Sequence, residues 1–245
     1  VTLSVCAGYL LFKKQKLTLS PAGGIGRLIG KTLLIGLSPF GLTFSPNLTL
    51  IFVNKSASLI GGEFAVACYA AVSYVSCVAL LLLQGISDGC QPLMSRALGE
   101  GDRAGIHRAR NYGFILSAIL ALVCCIALFF ARNHIAGLFG ASDEVSEQVA
   151  KILPLFTLGY IFAGATRMTA AYFYATEKTG RAYILIFGEP AVLLILLLFM
   201  PQIFGIWGTW MSVPLSQVVI SAVSALFLFL FRTKKPNDPK SGENV

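Results

Sequence analysis

Charge is what this sequence has least of. Only 12% of its 245 residues are charged, against roughly a quarter in an ordinary soluble domain. With 56% hydrophobic residues and a mean hydropathy of +0.77, that scarcity excludes a water-soluble globule and a disordered chain. It also excludes a nucleic-acid-binding domain of the usual kind, so nucleic acid is not an expected partner. Histidine is scarcer still: His107 and His134 lie in or near loops. An intramembrane His/Ser or metal centre therefore lacks its parts. The six cysteines, Cys6, Cys68, Cys77, Cys90, Cys124 and Cys125, fall in or beside apolar runs, none at metal-ligand spacing with histidine. They read as small packing residues. Glycine forms no phosphate-cradling loop, and the carboxylates form no aspartyl pair at the membrane centre. No enzyme, metal site or cofactor is expected.

What is present is long apolar runs. At about 20 residues per span, the length holds about six or seven membrane helices. The runs fall at 1–12, 33–54, 64–86, 112–131, 152–175, 182–200 and 206–231. The first is too short to cross ~30 Å of hydrocarbon at 1.5 Å per residue. Its basic residues follow it, whereas a signal peptide would place them before. It reads as the end of a truncated helix, so the chain is expected to be part of a longer protein. The expected organisation is an all-α polytopic transmembrane bundle: helix end 1–12, cytoplasmic linker 13–32, six-helix lobe 33–231 and cytoplasmic tail 232–245. The tail, with Pro236 and Pro239, reads as disordered.

The basic residues are sorted by side. Fifteen of the nineteen lie in alternate connections and the tail: Lys13, Lys14, Lys16, Arg27, Lys31, Arg96, Arg103, Arg108, Arg110, Lys178, Arg181, Arg232, Lys234, Lys235 and Lys240. Lys55, Arg132 and Lys151 lie on the other side, and Arg167 lies within a span. Basic residues accumulate on the cytoplasmic side, which places the carboxy-terminus there and attributes the pI of about 9.3 to topology. On the outer side, Ser142 is expected to cap the helix that begins with Asp143, Glu144 and Glu147, acids that complement its dipole.

Function in a membrane is sought where spans are interrupted or charged. The 33–54 run holds Pro39, Pro46 and Asn47, and proline frees a carbonyl one turn back that lipid cannot satisfy. This helix is expected to bend and to line a cavity, and Pro190 and Pro214 are expected to bend later helices. Asp88 falls at the cytoplasmic end of its span and reads as interfacial and solvated, while Gln84, one turn deeper, is the better pathway residue. Arg167 and Glu189 are the two deep charges. Each lies ten or eleven residues from the 178–179 turn, hence at matched depth on neighbouring antiparallel helices. They are expected to face each other as an ion pair or to share a polar cavity. The deep Ser and Thr residues, with Gln217, read as packing groups.

Several stretches then resemble one family in order and spacing. Gln84-Gly85, Gln91-Pro92-Leu93 and Gly99-Glu100-Gly101 resemble the end of the eighth helix and the next loop of the multidrug and toxic compound extrusion (MATE) family. Asn54 closes its span as an Asn often does there. Tyr172-Phe173-Tyr174-Ala175, with Lys178 and Ala182, resembles the end of the tenth helix. Pro190, Gly205-Ile206-Trp207-Gly208-Thr209-Trp210 and Pro214 resemble the eleventh and twelfth. The resemblance implies a secondary antiporter with two six-helix lobes. Such a carrier exchanges protons or sodium ions for organic, often cationic, compounds by alternating access. Here only the carboxy-terminal lobe is expected, the amino-terminal lobe being a missing partner, in a bacterial cytoplasmic (inner) membrane with its lipid. Some relatives carry carboxylates in the seventh and tenth helices. This sequence has Asn47 and Arg167 in the corresponding stretches, so no coupling residue is carried over. Glu189 is a choice made on depth alone. Two other readings stand beside export: a lipid-linked oligosaccharide flippase of the same superfamily, and a non-transporting membrane remnant.

Overall fold

The chain doubles back on glycine. The computed structural model describes residues 25–230, and all regular structure among them is helical. The order is α1 (Ile25–Gly99), α2 (Arg103–Ile135), a 3-10 turn (Ala136–Phe139), α3 (Asp143–Ala175), α4 (Thr179–Phe204) and α5 (Ile206–Leu230). The chain divides into a short unit, Val1–Leu34, whose described residues are helical, and a main unit, Ile35–Val245. Everything below concerns the main unit. The expected helix end 1–12 and tail 232–245 lie outside the described residues, as does Cys6. Helix is already present from Ile25, within the stretch expected as linker.

A straight rod over the 60 residues Phe40–Gly99 would run about 90 Å, three times the hydrocarbon thickness. The chain avoids this at Gly62, whose φ of 64° and ψ of −157° are open only to glycine. Pro46 and Asn47 before the break and Cys77 after it, at near-equal distances from Gly62, line one cavity. The two arms of the main unit, 35–61 and 63–99 (α1a and α1b), are therefore antiparallel. Within α1 the non-helical residue is Gly62, not Pro39 or Pro46. Proline loses one hydrogen bond but keeps a helical φ, whereas glycine alone reaches this left-handed region at no steric cost. Pro190 and Pro214 likewise sit inside the uninterrupted helices α4 and α5. The side chain of Pro39 lies outside the described set.

Five helices are long and apolar enough to cross a membrane, and the first, folded on itself, supplies two passes. This is a multi-pass membrane bundle. Two packed cores mark its ends. One joins Val53, Ala57, Cys68, Val72, Val149, Leu193 and Trp210, around the reversals at Gly62, Gly140 and Gly205, all with positive φ. The other joins Met94, Ala97, Met168, Phe173, Ala182 and Leu185, near the turns 100–102 and 176–178. At this second end the basic residues of both turns share one face of the bundle. Arg110 lies 5.2 Å and Lys178 5.9 Å from the ring of Tyr172, and Arg181 lies 5.7 Å from that of Phe173. Burial, then Arg181 and Arg103, hold the Lys178 amine below the usual lysine range.

Caps fix the turns. Ser142 Oγ accepts from the Val145 N–H at 3.4 Å, the capping its sequence position predicts. Asp102 Oδ1 accepts from the Gly105 N–H at 2.8 Å, tying the α1–α2 turn. Asp102→Ala leaves that amide without its cap and should cost about 1 kcal/mol, read as a lowered thermal midpoint of the detergent-solubilised protein.

α3 is the buried centre, with nearly every residue from Ala163 to Ala175 enclosed. Two of its hydroxyls turn inward on the backbone: Thr157 donates to Pro154 O and Thr169 to Ala165 O, each at 2.8 Å. Tyr160 reaches Ser76 across helices at 2.9 Å. Each of these hydroxyls has a partner within the bundle. The described cysteines are free thiols, and Cys125 Sγ donates to Thr157 O at 3.0 Å.

Candidate functional site: an interhelical cavity with two charges

The antiparallel arms of α1 leave a gap that α3, α4 and α5 do not fill. The resulting cavity is about 360 Å³, within the range of small-molecule sites. Pro46 and Asn47 reach it from α1a, and Tyr69, Ser73, Ser76 and Gln84 from α1b. Phe156, Tyr160 and Arg167 come from α3, Glu189 from α4, and Pro214 and Gln217 from α5. Aromatic and aliphatic walls with a few convergent polar groups suit an amphipathic organic guest. A small annex of about 10 Å³, room for about one water, adjoins it and shares Leu42, Pro46, Arg167 and Glu189. Ser45 Oγ and Thr166 Oγ1, both buried without a protein partner, belong to residues lining this annex.

Arg167 and Glu189 share the cavity but form no ion pair: no N–O approach within 4.0 Å joins them. The ion-pair half of the expectation is corrected. Depth follows from counting residues to the turn, but the direction of a side chain around its helix does not. Each charge is held by a neutral amide instead. Arg167 Nη1 donates to Gln84 Oε1 at 2.7 Å, and Gln217 Nε2 donates to Glu189 Oε1 at 2.7 Å. Gln84 Nε2 in turn donates to Asp88 Oδ1 at 2.8 Å, which also accepts from the Tyr174 hydroxyl at 3.4 Å. A polar chain thus runs Arg167–Gln84–Asp88–Tyr174 from the interior toward the exposed Asp88. Asp88 is exposed, yet it is one glutamine away from the deep cation.

Among the residues singled out from sequence, the fold brings Asn47, Gln84, Arg167 and Glu189 together, with Pro46 and Pro214 in the wall. Asn47 spends its Nδ2 on Thr43 O at 3.0 Å. Pro190 is buried beside Glu189 without lining the main cavity. Asn54 and Gln91 are half-buried and stand outside it, the Asn54 Oδ1 without a partner. Sequence reasoning set Gln217 aside as a packing group. Its signal was an amide three residues after Pro214 in an otherwise apolar helix.

This bundle has known counterparts. A profile of the MatE family matches residues 35–200. The chain belongs to the MatE family. The multidrug export protein MepA of Staphylococcus aureus (strain MSSA476) is 22% identical over 210 residues, which cover 84% of this chain and 46% of that protein. A solved outward-facing multidrug resistance MATE family transporter of the MOP superfamily superposes with a TM-score of 0.81 at 19% identity. It covers 93% of this chain and 52% of its own. A MOP superfamily transporter from Pyrococcus furiosus superposes with a TM-score of 0.81 at 20% identity, over 93% of this chain and 52% of its own. At such identities the likeness is one of fold. The chain spans about half the length of the curated MepA relatives it matches.

Proposed function

We propose that this chain is the carboxy-terminal lobe of a secondary antiporter that exports small organic compounds in exchange for protons or sodium ions. The observation that carries the reading is a 360 Å³ cavity holding two unpaired charges inside a MatE bundle. In such a carrier a second six-helix lobe faces this one, and the site opens to each side in turn. Ion and substrate each favour a different lobe arrangement, so their free energies couple through a shared conformation. Asn47, Gln84, Arg167 and Glu189 form the pathway in this lobe. Glu189 is the deep carboxylate available to the coupling ion, and Asp88 with Gln84 leads toward the interface. The end bearing Arg103, Arg110, Lys178 and Arg181 faces the cytoplasm of a bacterial cytoplasmic membrane. The excess of basic residues there supports that orientation.

The test is ethidium accumulation in an efflux-deficient bacterial host expressing the complete gene product. Lower accumulation than in vector controls, restored to control level when the proton or sodium gradient is collapsed, is the expected result. Equal accumulation with and without expression rejects export of this probe by ion coupling.

A further inference from the structure

We propose that the basic cluster over the end of α3 is a binding site for the phosphate headgroup of an anionic phospholipid. The inference concerns the membrane surface rather than the cavity, and nothing in it rests on export.

Three elements bring the cluster together. α2 and α4 both pack against α3 but not against each other, so the end of α3 lies between them. Arg103 and Arg110, seven residues apart, stand on one face of α2. Lys178 comes from the turn after α3, and Arg181 from the first turn of α4. Buried rings hold the cations in place: Arg110 and Lys178 both lie over Tyr172, and Arg181 lies over Phe173. A ring face attracts a cation but carries no net charge to neutralise it.

Carboxylates do not supply that charge to most of the cluster. Among the described residues the ion pairs are Arg96–Glu100, Arg108–Asp102 and Lys151–Glu147. The two acids of the α1–α2 turn are thus taken by other arginines, and Arg103, Arg110 and Lys178 enter no ion pair. Arg110 spends Nε and Nη2 on Asn111 Oδ1, a neutral amide. After burial, Arg181 and Arg103 are what hold the Lys178 amine down, so these three cations act on one another. Like charges gathered in one place repel, and an anion among them turns that repulsion into attraction. Arg103 is exposed and the other three are half-buried, which leaves their charged ends within reach of a headgroup.

Depth selects a lipid. Arg110 stands two residues before the apolar run 112–131, and Arg181 one residue before the run 182–200. Tyr112, Ile115 and Ile184, just beyond, are exposed on the outer surface of the bundle. The cations therefore lie where headgroups meet acyl chains, the level at which basic pockets between membrane helices take acidic headgroups. A soluble anion would meet the same charges without the apolar neighbours.

The experiment follows the thermal midpoint of the full chain in detergent. Phosphatidylglycerol, phosphatidylcholine with the same acyl chains, and inorganic phosphate are added separately at one concentration. Phosphatidylglycerol should raise the midpoint by about 5 °C and the other two by less than about 1 °C. No rise with phosphatidylglycerol, or an equal rise with phosphatidylcholine or with phosphate alone, overturns the proposal, and none of these results needs a variant to fold. Arg110→Gln combined with Lys178→Gln should remove the response. Lys55→Gln combined with Arg132→Gln, which takes two charges from the other end and also frees a ring, that of Phe129, should keep it. A response lost in both double variants, or kept in both, overturns the site. Headgroup selectivity without gradient-driven export rejects only the export reading. Export without the selectivity rejects only this inference.

Discussion

Gly208→Ala is expected to lower the thermal midpoint of the detergent-solubilised protein by about 10 °C, a loss of about 3 kcal/mol. Gly208 lies in the first turn of α5, where the chain has just reversed at Gly205, and its N–H donates to Gly205 O at 3.0 Å. A Cβ there would strike the Met200 carbonyl oxygen, with the carbonyl carbon at 2.5 Å and Pro201 N at 2.8 Å. All three are backbone atoms of the preceding helix, next to a proline whose φ is fixed, so none can swing aside. Relief requires opening the α4–α5 turn, and with it the seat of Trp210, which is 1% exposed. Trp210 stacks at 6.1 Å on Tyr69 and tilts at 6.3 Å against Phe156, the same two rings that wall the cavity. Gly113→Ala is the control. Its Cβ would meet Met168 Sδ at 2.5 Å and Cε at 2.8 Å, the end of a flexible thioether that has other rotamers to adopt. A midpoint for Gly113→Ala as low as that for Gly208→Ala would mean that the backbone clash is not what matters.

The contrast between these glycines also marks what sequence can convey. Hydropathy locates the rods, because a lipid-facing helix must be apolar along its length, and the spans at 182–200 and 206–231 match α4 and α5 closely. Caps are local, so Ser142 is legible from its neighbours alone. Depth is legible too, by counting from a turn, and Arg167 and Glu189 do reach one cavity. Azimuth is not. Whether Arg167 meets Glu189 or Gln84 depends on the rotation of α3 against α1b, which is set by packing across 83 residues of sequence separation. The same blindness hid Gln217: its partner Glu189 is 28 residues away on another helix. The break at Gly62 was legible only as a gap between apolar runs. Proline, the stronger local signal in α1, did not mark it, since a helix absorbs a proline more readily than a reversal absorbs a side chain.

Arg167→Met is expected to lower gradient-driven export by the complete gene product about tenfold or more, while leaving the thermal midpoint unchanged or raised. The two effects diverge because of how the charge is held. A cation in the bilayer interior costs at least about 2.5 kcal/mol, and an architectural role would recover that through a carboxylate partner. Arg167 has none within 4.0 Å; its protein contact is one neutral amide, and its Nε is bonded to nothing. Methionine is unbranched and apolar, fills much of the same path and removes the desolvation cost. Gln84 loses its donor but keeps its bond to Asp88 and is only half-buried, so its freed oxygen is not sealed from water. On stability alone, then, the arginine is a burden that methionine relieves. A midpoint that falls instead, by as much as for Gly208→Ala, would make Arg167 a brace of the bundle. A midpoint that holds while export disappears would mean that the fold carries a charge without a direct ion-pair partner at its centre for the sake of what the cavity receives.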